Sequence, residues 1–217
     1  MNEITVDIWS DVICPWCYIG KRRFEAALAD FEDRDAVRVR WRSFELDPTT
    51  PADIDETIAQ RMLRRQGIPP EQALDLLSGV TEVAAGEGLE YRLDLARPVN
   101  TFNAHRVVHF AAEQGRAEPL QERLMRAYAM EGASLADRET LTALAVAAGL
   151  DEPQVGAVLD GDSYADAVRA DEDLARRFGV SGVPSFVFGE AYMTSGAQPV
   201  EVLAGLLRRT RSEAAAH

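Results

Sequence analysis

Only two cysteines occur among the 217 residues, Cys14 and Cys17. That excludes the multi-disulfide framework that staples small secreted domains. Basic charge is also scarce: 23 Lys and Arg stand against 36 Asp and Glu, a formal charge of −13. A chain so acidic repels phosphate backbones and anionic membrane surfaces, and no basic tract offsets this, so neither a nucleic-acid nor a membrane partner is expected. No apolar run approaches the roughly 18 residues of a membrane-spanning helix. The start, Met1-Asn2-Glu3, lacks the basic residues and long apolar stretch of a secretory signal and leads directly into Ile4, Val6 and Ile8. A cytoplasmic location is therefore expected. Apart from Ala214 to Ala216 there is no low-complexity tract, and there is no internal repeat.

What is present is an ordinary globular balance, 47% apolar and 27% charged, in a chain long enough for one large domain or a small one carrying an insertion. Ile4, Val6 and Ile8 alternate with Thr5, Asp7 and Trp9, which predicts a strand to Ser10. Pro15 suits a first helical turn, where its missing N–H has no intrahelical partner to lose. Ile19, Phe24, Leu28 and Phe31 extend a helical stripe to about Asp33. Val37, Val39 and Trp41 then alternate with Arg38, Arg40 and Arg42, the pattern of an edge strand with one basic face.

From about Thr49 to Arg177 the pattern is helical. Ile54, Ile58 and Met62 share one predicted face, and Leu74, Leu77 and Val80 another. Asp137 and Asp151 stand where N-caps belong, before Leu141-Leu144-Ala148 and Val155-Leu159. Strand character returns at Ser185 to Phe188, with a turn at Gly189-Glu190, a return strand over Ala191 to Thr194, and a last helix opened by Pro199. The expected fold is α/β: a thioredoxin-like core (βαβ–ββα) over 1–48 and 178–217, interrupted by a large all-helical insertion over 49–177.

Cys14-Pro15-Trp16-Cys17 begins the first predicted helix. An ordinary cysteine is only about 3% thiolate at pH 7. Unpaired N–H groups and the helix dipole favour the thiolate at such a position. Cys14 is expected to be the exposed nucleophile, and Cys17, one turn further in, the resolving thiol. Trp16 is neutral, so it adds no positive charge, and a less extreme thiolate follows than a histidine there would give. In Gly179-Val180-Ser181-Gly182-Val183-Pro184-Ser185-Phe186 the proline is either a plain strand-start residue or a cis-proline that turns the Val183 backbone toward the sulfurs. His105 and His109, four apart on a helix predicted over Thr101 to Gln114, raise a Cys₂His₂ zinc site as a competing reading. The distance from the cysteines in sequence and the Pro-Trp knuckle argue against it, and no metal is expected. One histidine is expected to face the core, and His105 to lie near the redox cleft. Lys21-Arg22-Arg23 and Arg61, Arg64 and Arg65 read as solvated helix faces; Asp7 reads as a solvent-facing strand position, the alternative being a buried acid that relays protons to Cys17.

Ser10-Asp11-Val12-Ile13-Cys14-Pro15-Trp16-Cys17-Tyr18-Ile19-Gly20-Lys21-Arg22 resembles the DsbA-like dithiol–disulfide oxidoreductases of the FrnE branch. Asn100-Thr101, Asn103-Ala104-His105-Arg106, Gly182-Val183-Pro184 and Ser195-Gly196-Ala197-Gln198-Pro199 match further blocks, nearly end to end. The resemblance implies a thioredoxin fold with a helical insertion, Cys14 as nucleophile, Cys17 as resolving thiol and Pro184 cis. It implies a substrate site around Pro15, Trp16, Val183 and Pro184, with His105 and Asn100 near the cleft. The implied substrates are proteins or small molecules bearing a disulfide or dithiol. No cofactor is implied beyond the redox-active disulfide, glutathione being a candidate co-substrate; a homodimer is left open by the sequence. Tryptophan in place of the histidine of periplasmic DsbA proteins argues against a strong oxidant. The alternative is a glutathione-dependent transferase or isomerase of the kappa-class or 2-hydroxychromene-2-carboxylate isomerase type. Those generally carry serine at the first cysteine position, so the cysteine pair favours redox work.

Overall fold

The structure, a computed structural model, describes residues 3–51 and 56–214. The chain opens with β1 (Ile4–Ser10), α1 (Pro15–Ala29) and β2 (Val37–Ser43). Among the described residues seven helices follow: α2 (Ile58–Gln66), α3 (Pro70–Gly86), α4 (Phe102–Glu113), α5 (Ala117–Glu131), α6 (Arg138–Ala147), α7 (Glu152–Asp160) and α8 (Ala165–Phe178). It closes with β3 (Ser185–Phe188), β4 (Tyr192–Ser195) and α9 (Val200–Ala214). Among the described residues no helix is long and apolar enough to cross a membrane.

The four strands form one sheet in the order β2-β1-β3-β4. β1 and β2 run parallel, joined over the sheet by α1, while β3 is antiparallel to both β1 and β4. The two ends of the chain thus build a single thioredoxin-like sheet around the helical insertion, and β2 lies at its edge, as its one-sided apolar pattern required. Strand alternation sorts the faces. Ile4, Val6, Ile8, Phe186 and Phe188 pack with Phe24, Leu203 and Leu207 of α1 and α9. Trp9 and Val187 point the other way, onto Ala175 of α8, with Leu174 and Phe178 beside them. The helix that covers the second face therefore comes from the stretch read as insertion, and the sheet is sandwiched only because α8 returns to it.

The insertion is continuous with the first helix. Cys14, Cys17, Tyr18 and Ile19 share a buried cluster with Tyr91, Val107, Leu124 and Tyr128. Asp137 and Asp151 accept hydrogen bonds from the backbone N–H groups of Thr140 (2.8 Å) and Gln154 (3.2 Å), as N-caps do.

Several expectations change. Helix α1 stops at Ala29, yet Phe31 stays buried because the following turn carries it into the sheet core. On α3 the inward stripe is Ala73, Leu77, Val80 and Ala84, and Leu74 faces solvent. Reading bulk in place of spacing picks the wrong residue there. Ile54, expected to join Ile58 and Met62, lies outside the described residues. β4 begins one residue late, because Gly189 and Glu190 both have positive φ (57° and 61°) and Ala191 N–H closes the turn on the Phe188 carbonyl at 3.1 Å.

Two polar expectations are corrected more strongly. Asp7 is buried, and Arg40 and Arg42 of β2 close over it at 2.6 Å each. The register that sets Asp7 opposite Arg40 makes the pairing unavoidable. Lys21-Arg22-Arg23 is not a solvated face. Lys21 is buried with its Nζ at 2.8 Å from both Glu118 and Glu122 and also paired with Glu25. Arg22 reaches Glu122, and Arg23 reaches Glu87 and the Ala197 carbonyl. These pairs bind α1 to the insertion and to the loop before α9.

Candidate active site

The chain leaving β1 turns so that the Asp11 carbonyl accepts the Cys14 N–H at 3.1 Å. Cys14 occupies the N-cap of α1 in an extended conformation (φ −85°, ψ 114°), and Pro15 fills the first helical position. This places Cys14 at the mouth of the unpaired N–H groups of the first turn and Cys17 one turn deeper. Both cysteines are free. Cys14 is 7% exposed and Cys17 1%, whereas Trp16 between them is 40% exposed. Burial pushes the Cys17 thiol well up, and the neighbouring Cys14 sulfur adds to the rise; the Asp11 backbone and the Ser10 hydroxyl oppose it.

The segment before β3 comes against the first cysteine. The Cys14 thiol lies 3.7 Å from the Val183 carbonyl, and the Val183–Pro184 peptide bond is cis. Three contacts hold this segment. Ser185 Oγ donates to the Gly182 carbonyl at 2.7 Å, the Pro184 carbonyl accepts the Gly196 N–H at 2.7 Å, and Gly20 of α1 lies flat against the Pro184 ring. A Cβ at Gly20 would stand 2.9 Å from Pro184 Cγ. Glycine is required there by close approach, which explains why Gly20, Pro184 and Gly196 belong to one site.

Behind the sulfurs lies a buried polar layer. Asp11 Oδ2 accepts the Leu46 N–H at 2.8 Å, and Oδ1 faces His105 Nε2 at 3.4 Å. Glu45 is paired with Arg169 at 2.7 Å. Asn100 Nδ2 lies 3.4 Å from Glu45 Oε2 and from the Pro48 carbonyl, while its Oδ1 accepts the Phe102 N–H at 3.0 Å. His105 is 1% exposed and faces Asp11, and Asn100 braces the start of α4. Tyr91, also unanticipated, donates its hydroxyl to the Pro15 carbonyl at 2.6 Å.

The two histidines do not converge. His109 Nε2 sits 3.1 Å from Asp171 Oδ2 and 3.1 Å from Ser43 Oγ, far from the Asp11 partner of His105 in the fold's layers. Because serine and aspartate meet the same ring nitrogen, the trio cannot work as a nucleophile–base–acid relay. Among the described residues the side chains grouped closely enough to hold a metal are Glu25, Glu118 and Glu122, and the Lys21 ammonium already sits among them.

Beside Pro15 opens a cleft of about 470 Å³ between the core and the insertion. Ile13, Leu46, Ile58 and Met62 give it apolar walls, and Arg61 and Arg65 stand on its rim, paired with Asp47. Cys14, expected to be exposed, is thus itself buried, less deeply than Cys17, with a backbone carbonyl beside it and an apolar cleft adjoining Pro15.

A thioredoxin-like sheet with a Cys-Pro-Trp-Cys helix N-terminus facing a proline-bearing strand start defines the thioredoxin-fold class of thiol proteins. Residues 5–208 match the DSBA-like thioredoxin domain, and the chain belongs to that family. The crystal structure of a probable DsbA oxidoreductase, SCO1869 from Streptomyces coelicolor, is 44% identical, with a TM-score of 0.92, covering 97% of this chain and 91% of that one. Uncharacterized protein YwbO of Bacillus subtilis (strain 168) is 26% identical over 196 residues, 89% of this chain and 91% of its own length. A 2-hydroxychromene-2-carboxylate isomerase shares the fold at a TM-score of 0.70, with 18% identity, covering 97% of this chain and 98% of that one.

Proposed function

We propose that this protein is a thiol–disulfide oxidoreductase in which Cys14 attacks and Cys17 resolves. The observation that carries this reading is the inequality of the two cysteines: both are buried, but Cys14, at the helix mouth, keeps 7% of its surface exposed and Cys17, one turn deeper, 1%. The Cys14 thiolate attacks one sulfur of a substrate disulfide, forming a Cys14–substrate bond and releasing the other sulfur as a thiolate. Cys17, losing its proton, then attacks Cys14 Sγ. The second substrate sulfur leaves and takes up a proton, and the Cys14–Cys17 disulfide forms. The substrate gains two electrons and the protein loses two. A thiol such as glutathione, acting as co-substrate, or a partner dithiol returns them; run backward, the same steps oxidise a dithiol.

The raised Cys17 thiol supports this order, since a thiol held protonated does not compete for the first attack. It gains its opportunity once Cys14 has lost its negative charge to the mixed disulfide. The substrate lies along the Val183 backbone and over Pro184, Pro15 and exposed Trp16, its apolar flank toward the cleft at Ile13 and Leu46. The reaction proceeds in the cytoplasm on protein or small-molecule disulfides. In an insulin-disulfide reduction assay Cys14→Ser abolishes activity, and Cys17→Ser accumulates mixed disulfides on Cys14. Full activity in both variants would overturn the proposal.

A further inference from the structure

Asp11 is fully buried, and its polar groups have separate tasks. Its carbonyl takes the Cys14 N–H, its backbone faces the Cys17 sulfur, and its Oδ2 takes the Leu46 N–H. That leaves Oδ1, a buried oxygen with no hydrogen bond of its own. Facing it at 3.4 Å is His105 Nε2, likewise buried and without a hydrogen bond. The two orphans answer one another across the junction of core and insertion. A carboxylate sealed from water needs a compensating charge close by, and an imidazole nitrogen without a proton would turn a lone pair toward it.

We infer that His105 is a positioning residue whose positive charge, delivered by insertion helix α4, holds the Asp11 carboxylate and through it the turn that presents Cys14 and Cys17. The inference rests on the reading of Cys14 as the attacking sulfur. The surroundings agree on the sign. Burial alone would lower His105, but Asp11, Glu45 from the segment after β2 and Glu172 of α8 together raise it above its ordinary value. Arg169 of α8 pairs with Glu45 and Glu172, and Tyr128 of α5 is the further titratable group that feels Asp11. With His105 charged, Asp11 is the acid it compensates and the turn carries no net charge behind the sulfurs. Without it, an unbalanced anion lies behind a thiol that must itself become an anion.

Two measurements test this. In the wild-type protein, imidazole NMR followed against pH, with the His105 signals identified by their loss in His105→Gln, shows an imidazolium persisting above pH 6.5, and Asp11→Asn lowers its titration. In the second, the pH profile of Cys14 alkylation moves up by roughly half a unit or more in His105→Gln. Below its midpoint this slows alkylation about threefold. His109→Gln leaves the profile in place, and the double variant Asp11→Asn/His105→Gln returns it toward wild type because both charges are gone. A purely structural role for His105 would lower stability without moving the profile, and that result overturns the inference. So does a wild-type His105 that titrates at or below its ordinary value. Retained disulfide reduction in Cys14→Ser would instead remove the underlying reaction while leaving the NMR result to stand.

Discussion

Replacing Gly20 by alanine sets two effects against each other whose sizes follow from the structure. Alanine in a helix interior is favoured over glycine by about 1 kcal/mol. Against this, the new methyl would stand 2.9 Å from Pro184 Cγ and 3.4 Å from Phe186 Cζ. The proline ring is anchored by the bond from Gly196 to its carbonyl, and Phe186 is fully buried, so neither neighbour is a free chain end that can swing away. Overpacking of this kind costs about 1–3 kcal/mol. Gly20→Ala is therefore expected to lose about 1 kcal/mol net, some 2–4 °C in Tm for a chain of this size. Gly79, in α3, is the matched control, because a Cβ there meets nothing within 4 Å. Gly79→Ala is expected to gain up to about 1 kcal/mol. Urea unfolding of both variants, read with insulin reduction, separates the effects. Gly20→Ala also slows reduction, since Pro184 is displaced and carries the Val183 carbonyl away from Cys14. Equal stabilisation by both alanines with full activity in Gly20→Ala would refute the close packing of α1 on the proline segment.

Lys21→Met removes a buried cation from among Glu25, Glu118 and Glu122, leaving three carboxylates to repel one another. Because those carboxylates keep part of their hydration, the loss is placed at about 2–3 kcal/mol, below the usual range for a broken buried pair, and is read by denaturant unfolding. Glu122 gives the acid response. Burial would raise its carboxyl, but Lys21, Tyr18 and Arg22 outweigh that and hold it down to about 2. Its contribution is present above the ordinary glutamate value near 4.5 and is lost as pH falls toward 2, so Glu122→Gln flattens the stability profile across that window. An unchanged slope in that variant would contradict the pairing.

How legible each feature was depended on the range of the interaction that makes it. β1, the Cys14-Pro15 helix start, the edge character of β2, the Gly189-Glu190 turn and the Asp137 and Asp151 caps depend on neighbours within a few residues. All of them could be read from local pattern. Lys21 looked like part of a solvated basic face because Glu118 and Glu122 arrive from α5, about a hundred positions later. Asp7 looked exposed because its burial depends on Arg40 and Arg42 folding over it from β2. The same reason hid the role of α8, whose apolar face finds Trp9 and Val187 only once the sheet has closed.

The site divides along the same line. Cys14 and Cys17 announce themselves by spacing and residue type, and Val183 and Pro184 through the resemblance of Gly182-Val183-Pro184 to a family block. Asp11 was part of a recognisable run but carried no visible task, because its partners are Leu46 and His105. A charged residue placed between Ser10 and the apolar Val12 and Ile13 was the one available signal. Tyr91 and Glu45 offered none.

The most direct test of the account is timed thiol trapping with identification of the labelled cysteine by peptide mass spectrometry. Reduced protein treated with a limiting alkylating reagent takes the label on Cys14 first, and mild oxidation removes both free thiols together as Cys14 and Cys17 join. First labelling on Cys17, or two thiols that both stay free after oxidation, would contradict it.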